Sequence, residues 1–100
     1  MASYLHGEQI VEVIDVYDYK KTIFVILELM DGDITRLILE RQGGLPEAFC
    51  KWTLYQTVKG LLTMHQRNIL HRDIKSDNVL FKKDGSIKIA DMGFSVFLSE

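Results

Sequence analysis

One hundred residues, 47% of them hydrophobic, suit a chain that buries a core, as one small domain or part of a larger one, and exclude a disordered segment. A formal charge of -2 gives no general attraction for nucleic acid or acidic membrane, and the longest apolar stretch, residues 23–27, is far too short to span a bilayer. Cys50 is the single cysteine, which excludes an internal disulfide, fits a reducing compartment and makes a cytoplasmic location the expectation.

The opening Met1-Ala2-Ser3-Tyr4 has no basic region leading into an apolar core, so no secretory signal is read there. Over residues 10–19, Ile10, Ile14, Val16 and Tyr17 are interspersed with Glu12 and Asp15, and a second β-branched and aromatic run follows over 23–29. Asp18-Tyr19-Lys20-Lys21 separates them as a polar turn, which predicts an antiparallel hairpin. The second run is apolar nearly throughout, which predicts a strand buried on both faces.

Gly32 in Glu28-Leu29-Met30-Asp31-Gly32 breaks that strand, and Asp33 can cap a short helix over 34–40. Gly43-Gly44 ends the helix, and Pro46 suits the first turn of the next. Cys50, Leu54, Val58, Leu61 and Met64 recur at helical spacing through about residue 66. Phe49, Trp52 and Tyr55 widen the apolar surface, so this helix is expected to be largely buried. Cys50 and Trp52 read as packing residues, and His65 as a packed, hydrogen-bonded histidine.

A short strand over 68–70 then leads into His71-Arg72-Asp73-Ile74-Lys75-Ser76-Asp77-Asn78. A strand over 79–81, an Asp-Gly turn over 82–86 and a return strand over 87–90 follow, and then Asp91-Met92-Gly93. This hairpin carries the polar loop at one terminus and Asp91 at the other, bringing sequence-distant oxygen ligands into one cleft. Asp73 and Asn78 lie at opposite ends of the loop, so a hydroxyl can be held at one and a divalent cation at the other. Asp91 supplies the second hard oxygen that magnesium prefers. Five residue types fixed at these spacings, each at roughly 5% frequency, match by chance about once in tens of thousands of chains this long. A polar loop with accidental caps is therefore the weaker reading.

The loop and triplet resemble the catalytic loop and metal-binding triplet of a protein kinase. Lys75 is typical of the serine/threonine type. From the long helix through Asp77-Asn78 to Gly93-Phe94-Ser95 the chain is most similar to the sterile-twenty group, and the resemblance runs from about Leu5 to the end. It implies an α+β fold that is part of a protein-kinase-like domain: residues 1–29 as a small-lobe hairpin, 30–33 as the hinge, and 34–100 as the first part of the large lobe. It implies ATP and Mg2+ as cofactors and a protein carrying Ser or Thr as substrate.

The resemblance also assigns roles. Asp73 orients the substrate hydroxyl, Lys75 places positive charge on the transferring phosphoryl group, and Asn78 and Asp91 hold magnesium. Arg72 pairs with a phosphorylated activation loop or, equally, forms a structural salt bridge, and His71 packs beneath the triplet. Leu27 takes the gatekeeper position, the backbone at Glu28 and Met30 meets the adenine edge, Leu80 lies under the adenine, and Asp33 is the candidate for the ribose hydroxyls. Without the downstream motif, the hinge would read as a plain strand-to-helix turn.

Two departures carry weight. Met92 stands where the family usually has Phe, an apolar exchange that removes no catalytic group. No Gly-x-Gly-x-x-Gly occurs in these hundred residues, and no strand lysine or helix glutamate precedes the hairpin. The chain thus reads as the middle of a kinase domain, inactive in isolation, with self-association through an exposed hairpin expected. The rival reading is a non-catalytic kinase remnant or pseudokinase fragment that acts as a binding module.

Overall fold

β-branched and aromatic residues on both sides of Lys20-Lys21 pair as an antiparallel hairpin, Val13–Tyr19 (β1) with Thr22–Leu27 (β2), in the computed structural model, which describes residues 9–90 and the backbone of Val96–Phe97. Tyr19 faces Thr22, so the loop has two residues, and both sit in the left-handed region, with φ 48° at Lys20 and 64° at Lys21. That backbone matches the right-handed twist of the flanking strands, although neither residue is the glycine or asparagine that adopts it most easily. Lys20 also lays its ammonium 5.3 Å from the centre of the Tyr19 ring.

The expected burial of the second strand does not occur. Every residue of β2 is exposed, its apolar side chains from 42% at Ile26 to 67% at Ile23. The sheet has two strands only, so its apolar side chains gain no cover from a third strand or a helix on either face. The first strand also starts later than residue 10. Ile10 instead bridges Ile89 in parallel, with Val11 N–H donating to Ile89 O at 3.1 Å and Ile89 N–H to Gln9 O at 2.8 Å.

Gly32–Asp33 (β3) leads directly into a helix over Ile34–Glu40 (α1), where Asp33 caps the N-terminus by accepting from Arg36 N–H at 2.8 Å. The helix closes at Arg41, before Gly43-Gly44, and Gly44 (φ +82°) makes the turn that follows. Pro46 caps a second helix, Glu47–Gln66 (α2), just outside its first turn. There its missing N–H costs nothing.

The buried stripe of α2 is Gln56, Thr57, Gly60 and Met64 rather than the wide apolar surface read from sequence. Of that surface only Met64 is fully covered, while Cys50, Trp52, Leu54, Tyr55 and Val58 are exposed. His65, expected to be packed, is exposed as well. The reason is the neighbour. Strand Ile87–Ile89 (β6) and residues 9–10 come so close to Gly60 that only small or hydrogen-bonding groups fit, and Gln56 is satisfied by Gln9 Nε2 at 2.8 Å.

Val79–Phe81 (β5) pairs antiparallel with β6 and, on its other edge, with β3. Their connecting turn is closed by Lys82 N–H to Ser86 O at 2.9 Å, with Gly85 at φ +97°. Trp52 Nε1 donates to Gly85 O at 2.7 Å, which ties the turn to α2. Ile69–Leu70 (β4) pairs with Val96–Phe97 (β7). Two small clusters make the core: Ile10, Met64 and Ile69, then Ile34, Val79 and Ile87 with Phe49 and Phe81 packed against them. No helix among the described residues is long and apolar enough to cross a membrane.

Gly60 offers a direct test of the α2–β6 contact. A Cβ there would stand 2.7 Å from Ile89 Cδ1 and 3.0 Å from Gln9 O. Alanine gains about 1 kcal/mol of helix propensity, but overpacking costs about 1–3 kcal/mol, and one of the two neighbours is backbone that cannot rotate away. Gly60→Ala is expected to lower the urea-unfolding free energy. A variant more stable than the parent would refute this packing.

Candidate active site

The polar loop over 71–78 is built on two buried side chains. His71 accepts the Asp73 N–H on Nδ1 at 3.1 Å, and because a backbone N–H can only donate, the ring proton sits on Nε2 and is donated to Ala90 O at 2.8 Å. Asn78, also buried, donates from Nδ2 to Asp73 O at 2.8 Å and to Asp73 Oδ2 at 3.2 Å. Asp73 is thus held at its N–H, its carbonyl and one carboxylate oxygen. Arg72 between these anchors lies in the left-handed region at φ 69°, an uncommon conformation for a side-chain-bearing residue and one concentrated at functional sites.

Lys75 Nζ stands 3.8 Å from Asp73 Oδ2 with its side chain 55% exposed, a loose and solvated pair. The loop then tightens into a single 3-10 turn over Ser76–Asn78. Thr35 of α1 donates to Asp77 Oδ1 and bonds the Ser76 hydroxyl, so the first helix braces the loop from outside. Asp73, read from sequence as lying at the far end of the loop from Asn78, is bonded to it directly, and Lys75 lies beside the same carboxylate. Ala90, the residue before Asp91, donates its N–H to Asn78 O at 2.8 Å, whereas Asp91, Met92 and Gly93 lie outside the described residues. The side-chain oxygen of Asn78 is a hard donor of the kind that magnesium takes. Among the described residues no group of three or more His, Cys, Asp or Glu forms a metal cage.

The second group of candidates lies along the segment leaving β2. Leu27 ends that strand opposite Val13 and is exposed. Glu28 continues the pairing through its N–H to Glu12 O at 3.0 Å, and Met30 is half-buried. Asp31 N–H then donates to Phe81 O at 2.9 Å, and Asp33 faces Leu80 in the β3–β5 register. One oxygen of Asp33 is committed to the helix cap. The β3–β5 ladder joins these residues to the hairpin whose start is Asn78.

Sequence reading took Glu28 for its backbone alone and missed its side chain. Oε1 accepts from Glu12 N–H at 2.9 Å and from Lys88 Nζ at 2.6 Å, and Oε2 from Lys82 Nζ at 3.1 Å. The one available signal was Lys88 itself, a charge set between Ile87 and Ile89 in a strand. Burial pushes the Glu28 carboxyl up, but the bonds from Lys88, Glu12 N–H and Lys82 outweigh it and bring the pKa down to about 2.

A folded-state value below the unfolded one means that this carboxylate stabilises the fold fully above about pH 4.5, and that the contribution is lost as pH falls through about 2. Discounted for solvent screening of a group at the edge of the structure, the displacement is worth on the order of 1–2 kcal/mol. Between pH 4.5 and 2 the parent should lose about that much more unfolding free energy than Glu28→Gln, measured in urea. Identical slopes would show that the carboxylate has no such partners.

Comparison with known proteins shows the family. The family model described as protein kinase domain matches residues 1–100. A probable serine/threonine-protein kinase of Dictyostelium discoideum is 38% identical over 89 residues, covering 89% of this chain and 18% of the relative. Serine/threonine-protein kinase crk1 of Schizosaccharomyces pombe is 36% identical over 88 residues, 88% of this chain and 26% of the relative. Serine/threonine-protein kinase pakB of Dictyostelium discoideum is 38% identical over 95 residues, 93% of this chain and 11% of the relative. The chain thus spans about a quarter or less of each of these kinases, and within that span it belongs to the protein kinase domain family.

Proposed function

We propose that these residues form the hinge and catalytic-loop portion of a serine/threonine protein kinase, which transfers the γ-phosphate of ATP to a Ser or Thr hydroxyl of a protein. The convergence of Asp73, Lys75 and Asn78 on one loop carries the reading. In the reaction the hydroxyl oxygen bonds to the γ-phosphorus as the bond to the β-phosphate oxygen breaks, ADP leaves, and the hydroxyl proton passes to Asp73. Asp73 chiefly orients the hydroxyl, since the transition state is loose and positioning supplies much of the rate. Lys75, exposed and loosely paired, can reach a transferring phosphoryl group.

Asn78 and Asp91 would hold magnesium, which neutralises phosphate charge when bound. Leu27, Leu80 and the backbone at Glu28 and Met30 would receive the adenine, with Asp33 toward the ribose and Arg72 toward a phosphorylated activation loop. The similarity over Asp77-Asn78 and Gly93-Phe94-Ser95 favours the sterile-twenty group, and the lone Cys50 accords with the cytoplasm.

Radiolabelled phosphate transfer to a generic basic protein tests the reading. The hundred residues alone hold the hydroxyl and metal groups but no glycine-rich phosphate loop, so no transfer is expected from them. Joined to a complete small lobe and the rest of a large lobe, the segment should phosphorylate Ser or Thr. There Asp73→Asn should cut turnover by about a hundredfold or more with nucleotide binding kept, and Asp91→Asn should impair magnesium-dependent nucleotide binding too. Transfer that survives Asp73→Asn would sink the site assignment.

The hairpin leads to a second expectation. Ile14, Val16, Ile23 and Val25 are exposed on a two-stranded sheet, an arrangement marginal in water with edges open to pairing. The isolated chain should self-associate or fold only in part, as read by light scattering and amide dispersion. A monomer with one sharp cooperative melt would contradict this.

A further inference from the structure

We propose that Glu28, Lys82 and Lys88 form a charged clasp that positions the segment 28–33 against the β5–β6 hairpin, and so sets the adenine edge relative to the catalytic loop. The last clause rests on the kinase reading; the clasp itself does not. One carboxylate bonds three separate pieces of chain: Glu12 N–H just before β1, Lys82 just after β5, and Lys88 in the middle of β6. The partners lie 54 and 60 residues from Glu28, so the contact is made only when the hairpin β1–β2 is docked.

Burial separates this cluster from a surface ion pair. The side chains of Glu28 and Lys88 are 12% and 16% exposed and Lys82 is 32% exposed, whereas the Arg36–Glu40 and Lys51–Glu47 pairs join side chains that are 61–82% exposed. Removing one member of a largely buried charge cluster leaves the others uncompensated. Two lysines on one carboxylate make the arrangement asymmetric. Losing Lys82 leaves a complete Glu28–Lys88 pair. Losing Glu28 leaves two ammonium groups facing each other, with the exposed Asp84 carboxylate in their field.

The neighbouring bonds show what the clasp controls. Asp31 N–H donates to Phe81 O at 2.9 Å, and Asp31 Oδ2 accepts from Lys83 N–H at 2.7 Å, which fixes the far end of the segment on the same hairpin. Glu28 fixes the near end. Between the two anchors lie Leu29 and Met30, with Met30 the residue assigned to the adenine edge. Glu28, Lys82 and Lys88 are accordingly positioning residues, acting through the backbone they hold.

Amide hydrogen exchange of the segment joined to a complete small lobe and the rest of a large lobe, read peptide by peptide, tests this without nucleotide. Glu28→Gln should speed exchange over 12–31 by about ten- to a hundredfold, Lys88→Met somewhat less and Lys82→Met least, while peptides of α2 stay unchanged. The double charge reversal Glu28→Lys with Lys88→Glu should recover part of the protection that each single reversal loses, a rescue that mere packing would not give. The clasp is overturned if the parent shows no protection over 12–31, if α2 speeds up equally, or if the double reversal is no better than the singles. Failure of phosphate transfer by that completed domain with the exchange pattern intact would overturn the kinase reading alone.

Discussion

The bond from Ala90 N–H to Asn78 O extends the β5–β6 ladder by one step, and the polar loop over 71–78 depends on it. Residues 78 and 90 stand opposite each other at the open end of the hairpin. Asn78 spends its side-chain N–H groups on Asp73, and the Ala90 carbonyl accepts from His71, so both supports of the loop are fastened to this single rung. His71 and Asn78 are buried, and a buried polar group left without its partner costs about 1–3 kcal/mol. A loop that slipped from the ladder would leave several such groups unpaired at once. Asp73 is therefore fixed by the pairing of two short strands rather than by its own surroundings.

The same hairpin serves at its other end and along its length. Its turn is tied to α2 by Trp52, β6 takes up residues 9–11 at Ile89, and Lys82 and Lys88 reach Glu28. Three strands of two or three residues each would be weak alone. They hold because Ile34, Val79 and Ile87 pack as one cluster beneath them, and because α2, residues 9–11 and Glu28 each add hydrogen bonds to the hairpin. Hairpin β1–β2, by contrast, touches this scaffold only at its base, which is why its apolar side chains stay in water.

Local features were legible in sequence where the chemistry is local. Asp33 as a cap, Pro46 before a helix, the Asp84-Gly85 turn and the strand over 79–81 all act through neighbours within a few residues. The loop 71–78 was legible because its residue types are rare together. Faces were not. Helical spacing in α2 marks an apolar stripe without saying what lies opposite it, and the partner turned out to be a strand that approaches Gly60. Gln9 with Gln56 and Glu28 with Lys88 are pairs 47 and 60 residues apart, and no periodicity within either element announces them.

The strengths of the contacts around Asp73 differ in a way that suits the proposed reaction. Its backbone and one oxygen are held by buried or partly buried hydrogen bonds from Asn78, which fix direction and are costly to break. Its bond to Lys75 is of another kind: 3.8 Å long, with the ammonium more than half exposed, and worth about 0–1 kcal/mol. Lys75 can leave the carboxylate for an incoming phosphoryl group at little cost, and the carboxylate keeps its orientation when it does. Were the pairing reversed, with lysine buried and asparagine loose, the charge needed on the phosphate would be locked onto Asp73 and the hydroxyl would meet a carboxylate free to turn. Positioning is assigned to the neutral, buried partner and mobility to the charged, exposed one, which is the division that a loose, charge-rich transition state requires.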